Sequence, residues 1–126
     1  MEKESALSRI IDSVESYLNS HEVKWFYIGK TDNFEERAES HRQEGYNQIF
    51  ELAIASSDAI AYLEEAVIFY FKEKGDCRIK NENNGSGGNP QSRILYVACL
   101  VEMLNIDEIY RDLLPISDSF PIEIDK

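Results

Sequence analysis

The sequence has few cysteines, no long apolar stretch and no recognisable secretory signal. Its two cysteines, Cys77 and Cys99, fit no spacing of a metal-binding or redox pair, so free thiols in a reducing compartment are expected, with a disulfide as the alternative. No apolar run approaches the roughly 18 residues of a membrane-spanning helix. Residues 1–5 are mostly charged or polar and precede no continuous apolar segment. Together these absences predict a cytoplasmic protein without a membrane partner.

Basic residues are also scarce. The chain has 13 Lys and Arg against 24 Asp and Glu, and its net charge of −11 repels phosphate as a whole. The charge is uneven, because residues 102–126 have seven acidic and two basic residues, a balance of −5, whereas residues 21–101 have thirteen and nine, a balance of −4. The sequence therefore excludes strong long-range attraction to nucleic acid, but it permits a local cationic surface within residues 21–101.

The remaining composition predicts one domain of the α/β (α+β) class. Of the 126 residues 43% are hydrophobic, which is enough for a single core. Apolar spacing typical of helices alternates with spacing typical of strands, and it predicts a small central β-sheet of about three strands flanked by helices. The predicted helices cover residues 5–21, 33–44, 58–74 and a segment from Asn105 to Pro115, and the predicted strands cover residues 23–28, 48–55 and 94–101.

Two segments lie outside the predicted core of residues 22–101. Residues 5–21 form an extra N-terminal amphipathic helix, whose apolar stripe is expected to pack on the core or, alternatively, to form a homodimer. Residues 102–126 form an acidic C-terminal helix and tail, and the tail from Ser117 onwards is expected to be loosely held. The whole chain, residues 1–126, is predicted to be a single domain.

The most informative stretch is residues 25–31, with the sequence WFYIGKT. Its aromatic and β-branched residues favour a strand, which a glycine and a polar turn end. The pattern Asp32-x-x-Glu35 is a capping box that starts the next helix. Arg37 and His41 are four residues apart on this helix, so they lie on the same side. Without further context, such a helix reads as a solvated charged surface.

Glu64 is predicted to face inward from the helix of residues 58–74. Helical spacing places it on the apolar stripe, and a buried carboxylate is costly unless it is paired, binds a metal or lies in a cleft. The alternative is an ordinary boundary residue neutralised by a nearby arginine. If the predicted phase of this helix is shifted by one residue, Glu65 faces inward in place of Glu64. With the predicted phase, Glu65 is expected to be exposed to solvent.

Five polar residues can converge on a phosphodiester if these elements fold together: the candidate catalytic residues Tyr27, Arg37, His41 and Glu64, and the candidate phosphate ligand Lys30. Glu64 would supply one oxygen ligand to Mg²⁺ or Mn²⁺, with water and substrate completing the coordination shell. Arg37 would stabilise the charge that develops on the phosphoryl group. Tyr27 or His41 would activate water, as in a one-metal hydrolysis site.

Residues 25 to about 100, about 60% of the chain, resemble the GIY-YIG nuclease superfamily. The segment Tyr27-Ile28-Gly29 is similar to the second half of the motif that names the family. Arg37 follows at the spacing of the family's catalytic arginine, and His41 matches a histidine that many members have one turn later.

The same resemblance extends to the second half of the chain. Glu64 lies in the segment LEEAVI, which looks like the one that holds the family's metal-binding glutamate. Asn81 and the glycines after it look like the family's asparagine and glycine loop, and this resemblance implies that Asn81 is a second candidate phosphate ligand. The resemblance implies a small sheet flanked by helices and Mg²⁺-dependent phosphodiester cleavage.

The family's first motif contains a tyrosine that helps to position or activate the attacking water. Tyr17 has the expected spacing from Tyr27, but it lies in a stretch with helical periodicity, so the first strand and its tyrosine look absent or replaced. Residues 94–101 are the candidate substitute in the sheet. The expected function is a metal-dependent endonuclease, and the alternative is a non-catalytic member that binds a nucleotide ligand or a nucleic-acid-handling protein.

Overall fold

The computed structural model describes residues 2–83, 85, 89–102 and 115–124. It has the predicted α+β architecture, with a mixed sheet and three helices in the described part of the chain. The elements are α1 (Lys3–Ser20), β1 (Val23–Thr31), α2 (Phe34–Gln43), β2 (Gln48–Ile54), α3 (Ser57–Lys74), β3 (Ile94–Val101) and β4 (Ile122–Glu123). The first three predicted helices and all three predicted strands are present. The prediction that Gly29 ends the first strand is wrong, because β1 continues through Gly29 to Thr31 by pairing with β3. The helix predicted from Asn105 lies outside the described residues.

The strands are arranged in the order β1-β3-β2-β4. β3 lies between β1 and β2 and is antiparallel to both, while β4 runs parallel to β2. The prediction that residues 94–101 form a central strand is therefore correct, and its cause is that an almost continuous apolar run suits a strand covered on both faces. This order sets Tyr96 directly opposite Gly29 on the neighbouring strand.

The helices cover both faces of the sheet. The larger core contains the buried residues of α1 and α3, and a smaller cluster under α2 includes Ala38 and Tyr96. The apolar stripe of α1 is buried within the chain itself at Ala6, Ile10, Val14 and Leu18. A homodimer formed through α1 would therefore need another side of this helix. Among the described residues, no helix is both long and apolar enough to span a membrane.

The end of the chain contributes to the sheet, contrary to expectation. Ile124 donates its backbone N–H to the carbonyl of Ile54 at 2.9 Å, and both Ile122 and Ile124 are buried. The prediction that the tail from Ser117 onwards is loosely held is therefore wrong for residues 122–124. The reason is that two isoleucines separated by one acidic residue give the alternation of a half-buried strand.

Both cysteines are free thiols, as expected. Cys77 is exposed, whereas Cys99 is buried on β3, where burial raises the pKa of its thiol to about 12. Cys99 is therefore protonated at neutral pH and has the character of an apolar core residue.

Candidate active site

A polar cleft of about 320 Å³ opens at the outer edge of β1. β1 forms one wall, α3 contributes a carboxylate, and the segment after α3 closes the remaining side. Three of the six predicted site residues line this cleft. The described residues that line it are Tyr27, Glu64, Lys80, Asn81, Glu82, Asn83 and Gly85. Residues from three separate parts of the chain thus meet in one cleft.

Glu64 faces inward, as predicted, and Glu65 is exposed. Ser56 begins α3 by accepting a hydrogen bond from the backbone of Ala59, and this start sets the helical phase that turns Glu64 inward. The carboxylate lies 4.0 Å from the Nζ atom of Lys30, and both side chains are about 95% buried. Each charge is therefore held near its opposite in a region shielded from water.

Tyr27 connects the cleft to a cluster of rings under α2. Its ring centroid lies 5.2 Å from that of His41 and 6.4 Å from that of Tyr96. Burial raises the pKa of Tyr27, the nearby Glu64 raises it further, and Arg37 opposes both effects. The phenol is therefore protonated at neutral pH and can donate a hydrogen bond into the cleft.

Gly29 is what allows Tyr96 to approach β1 so closely. A Cβ atom placed on Gly29 would lie 2.5 Å from Cζ of Tyr96 and 2.8 Å from Cε1 of Tyr27. These separations are too short for carbon atoms, so only glycine fits between the two tyrosines. The glycine that ends the predicted strand motif is thus required for packing of the tyrosines rather than for a turn.

His41 lies behind Tyr27 and holds the hydroxyl of Tyr96. Its Nδ1 atom is 3.0 Å from Oε1 of Glu44, and its Nε2 atom is 2.8 Å from Oη of Tyr96. A carboxylate can only accept, which assigns the ring proton to Nδ1 and makes Nε2 the acceptor for Tyr96. Burial lowers the pKa of His41, although Glu44 opposes the shift, so the ring is neutral at physiological pH.

This arrangement changes the role that the sequence suggested for His41. Both ring nitrogens already have partners, so the imidazole has no free lone pair for a water molecule. The histidine instead fixes the orientation of Tyr96. Among the predicted water-activating residues, Tyr27 is the one that reaches the cleft.

Arg37 is exposed on α2, one turn before His41. The helix begins at Asn33, whose side chain accepts a hydrogen bond from the backbone of Glu36, one residue later than the predicted capping box. The guanidinium forms no hydrogen bond or ion pair with any described residue. Its positive charge nevertheless lowers the pKa of Tyr27, against the larger effect of burial. Arg37 is therefore available for an anion beside the tyrosine cluster.

Asn81 binds the edge of β1 through its side chain. Its Oδ1 atom accepts a hydrogen bond from the backbone N–H of Ile28 at 2.9 Å, and its Nδ2 atom donates to the carbonyl of Ile28 at 2.7 Å. The amide thus replaces a neighbouring strand at this position. Because these two bonds occupy the amide, its clearest role is to position the cleft wall, and phosphate contact by Asn81 stays a prediction.

The Asn81→Ala substitution is expected to lower the free energy of unfolding by about 2 kcal/mol, because two buried backbone groups of Ile28 lose their partners. Urea denaturation would measure the loss, and hydrogen exchange at the Ile28 amide should become faster. The matched control is Asn83→Ala, because Asn83 lines the same cleft but is exposed. Equal stability of the two variants would contradict the assigned role.

Three site residues are not predicted from the sequence: Glu44, Lys80 and Tyr96. Tyr96 lies in an apolar run that reads only as a buried strand, and its meeting with His41 depends on how β3 pairs with β1. Glu44 is three residues after His41, a helical neighbour spacing that could have indicated the contact.

The chain matches no protein-family model, no curated protein and no solved structure. Within the described part of the chain, no three side chains of the His, Cys, Asp or Glu type converge as a metal cluster. Two carboxylates line the cleft, the buried Glu64 and the exposed Glu82. A Mg²⁺ site can be built with one or two protein carboxylates, because water and substrate phosphate supply the other oxygen ligands. The residues present thus fit a single weakly held divalent cation.

Proposed function

We propose that this chain is a metal-dependent phosphodiester hydrolase that acts on nucleic acid in the cytoplasm. The observation that carries the proposal is the position of Tyr96. The resemblance to the GIY-YIG nucleases calls for a second tyrosine beside Tyr27, and none precedes it on a strand. β3 sets Tyr96 opposite Gly29, with its ring centroid 6.4 Å from that of Tyr27 and its hydroxyl hydrogen-bonded to His41. We propose that Tyr96 takes over from the missing tyrosine by supporting Tyr27.

The exposed Arg37 is assigned to the phosphoryl group, where a preorganised guanidinium stabilises the charge that develops during attack by water. Tyr27 orients the attacking water from the cleft wall, and His41 with Tyr96 keeps Tyr27 in place from behind. In the reaction, a bond forms between water oxygen and phosphorus, the bond from phosphorus to the leaving sugar oxygen breaks, and that oxygen takes a proton.

Glu64 is assigned as the protein ligand of Mg²⁺ or Mn²⁺. The ion would supply electrostatic stabilisation of the phosphoryl oxygens. Lys30 lies 4.0 Å from the carboxylate and offsets its negative charge.

Cleavage assays with a matched pair of glutamate variants test the proposal. Pure protein is incubated with plasmid, single-stranded DNA, RNA and cyclic dinucleotides, with Mg²⁺ or Mn²⁺ and with EDTA. The wild type and Glu65→Gln are expected to cleave at least one substrate only with metal, whereas Glu64→Gln should lose at least 100-fold of the rate. Equal rates for all three proteins would exclude the hydrolase.

A second candidate is a non-catalytic protein that uses the same cleft to bind a nucleotide ligand or a nucleic-acid-handling protein. The observation that favours it is the Lys30–Glu64 pair, because the carboxylate is already balanced without a metal ion. Binding that is lost in Arg37→Ala, with no cleavage by the wild type, would support this candidate instead.

A further inference from the structure

Trp25 is the only tryptophan of the chain, and it lies beside the cleft under two cationic side chains. The Nζ atom of Lys24 is 4.8 Å from its ring centroid, and the Nζ atom of Lys80 is 4.9 Å from it. Both lysines are exposed, and the indole is half-buried. The indole thus lies within a local cluster of positive charge, on a chain whose net charge is −11.

The position of Trp25 connects it to the proposed active site. It precedes Tyr27 by two residues on β1, with regular pairing to β3 from Trp25 onwards, so both side chains project from the same face of the sheet. Lys80 lines the cleft and also contacts the indole, and its backbone N–H donates to the carbonyl of Phe26 at 2.8 Å. The indole is therefore a fixed neighbour of the cleft, and Lys80 connects the two.

We infer that Trp25 is a stacking platform for an unpaired nucleobase, with Lys24 and Lys80 binding the phosphates on either side of that nucleotide. The inference rests on the proposed function, since it specifies the substrate as a strand with an unpaired base next to the cleaved bond. Trp25 and Tyr27 are neighbours on one face of β1, and the distance between two such residues is about the length of one extended nucleotide. When a phosphate group binds at Tyr27, the base of the neighbouring nucleotide therefore lies at Trp25.

Charge and stacking both favour a single strand over a duplex. A paired base is stacked between its neighbours and cannot lie flat on an indole, whereas an unpaired base can. Base stacking on an aromatic ring is stronger than an exposed cation–π contact, so a base can displace an ammonium group, which then turns to a phosphate. A single strand also has a lower charge density than a duplex, which suits a cleft that includes the exposed acid Glu82.

The fluorescence of Trp25 tests the inference directly, because no other tryptophan contributes. Metal-free protein is titrated with four nucleic-acid probes: 12-nucleotide single-stranded DNA, single-stranded RNA of the same length, a 12-base-pair DNA duplex and a DNA strand of 12 nucleotides without bases. The single strands with bases should quench the emission in a saturable manner and bind about tenfold more tightly than the abasic strand. The tighter of the DNA and RNA strands identifies the sugar of the substrate.

Two variants of Trp25 distinguish base stacking from non-specific electrostatic binding. Trp25→Leu, measured by fluorescence anisotropy of a labelled single strand, should bind about tenfold more weakly, while Trp25→Tyr should stay within threefold of the wild type. Unchanged emission at saturation, or equal affinity for the abasic and normal strands, would overturn the platform. Glu64→Gln should still show quenching. Quenching in a wild type that cleaves nothing would remove the proposed hydrolase and leave the platform in place.

Discussion

Replacing Arg37 with alanine is expected to lower kcat/KM for phosphodiester cleavage by about 100- to 1,000-fold, with no loss of stability. The loss corresponds to removal of one preorganised group that stabilises charge in the transition state. Stability should stay within about 0.5 kcal/mol of the wild type, since Arg37 is exposed and makes no hydrogen bond or ion pair in the described residues. Cleavage kinetics and urea denaturation measure the two effects.

Two further substitutions on α2 make this result specific. Arg42→Ala removes an equally exposed arginine whose 3.7 Å ion pair with Glu39 is a weak surface contact, so it should retain normal cleavage and stability. Arg37→Lys keeps the charge but not the two-pronged hydrogen-bonding geometry, and it should recover only part of the rate. If Arg37→Ala cleaves within threefold of the wild type, the guanidinium has no part in the reaction.

The second large effect concerns Gly29→Ala, which is expected to lower the free energy of unfolding by about 3 kcal/mol. The added Cβ atom would overlap the ring of Tyr96, which is fully buried and cannot move without displacing its neighbours. Movement of Tyr96 should also break its hydrogen bond to His41 and reduce cleavage. Urea denaturation and the cleavage assay would measure the two losses.

Gly75→Ala is the matched control for this glycine. Gly75 ends α3 with a φ of +81°, and a Cβ atom there meets nothing within 4 Å. Its replacement should cost about 1 kcal/mol for backbone conformation alone and leave cleavage unchanged. A Gly29→Ala variant as stable as the wild type would show that the tyrosines do not need this close approach.

Much of the fold follows from local pattern in the sequence. β3 has the predicted bounds because its apolar run is continuous and follows a sequence rich in glycine and asparagine. The N-cap of α2 is Asn33, one residue after the predicted cap Asp32. Both residue types are good caps, and only the hydrogen bond from the backbone of Glu36 to Asn33 distinguishes them. β4 was missed because two residues are too short a pattern to stand out in an acidic segment.

The site was partly predictable, for physical reasons that differ between residues. Glu64 was found because helical periodicity alone determines which side of α3 it occupies. The pairing of Tyr96 with Gly29 and the binding of Asn81 to Ile28 could not be found in this way. Each joins residues that are distant in the sequence, and strand order is determined by packing of the whole domain rather than by any local preference.

The position of β3 between β1 and β2 also determines when the protein can become functional during its synthesis. β1 and β2 are made first, yet each forms its ladder with β3 and not with the other. A nascent chain that ends before residue 94 has the arginine, the glutamate and Tyr27 but no sheet to hold them together. Folding of the sheet and assembly of the tyrosine cluster are thus one event, and incomplete chains lack the completed cleft.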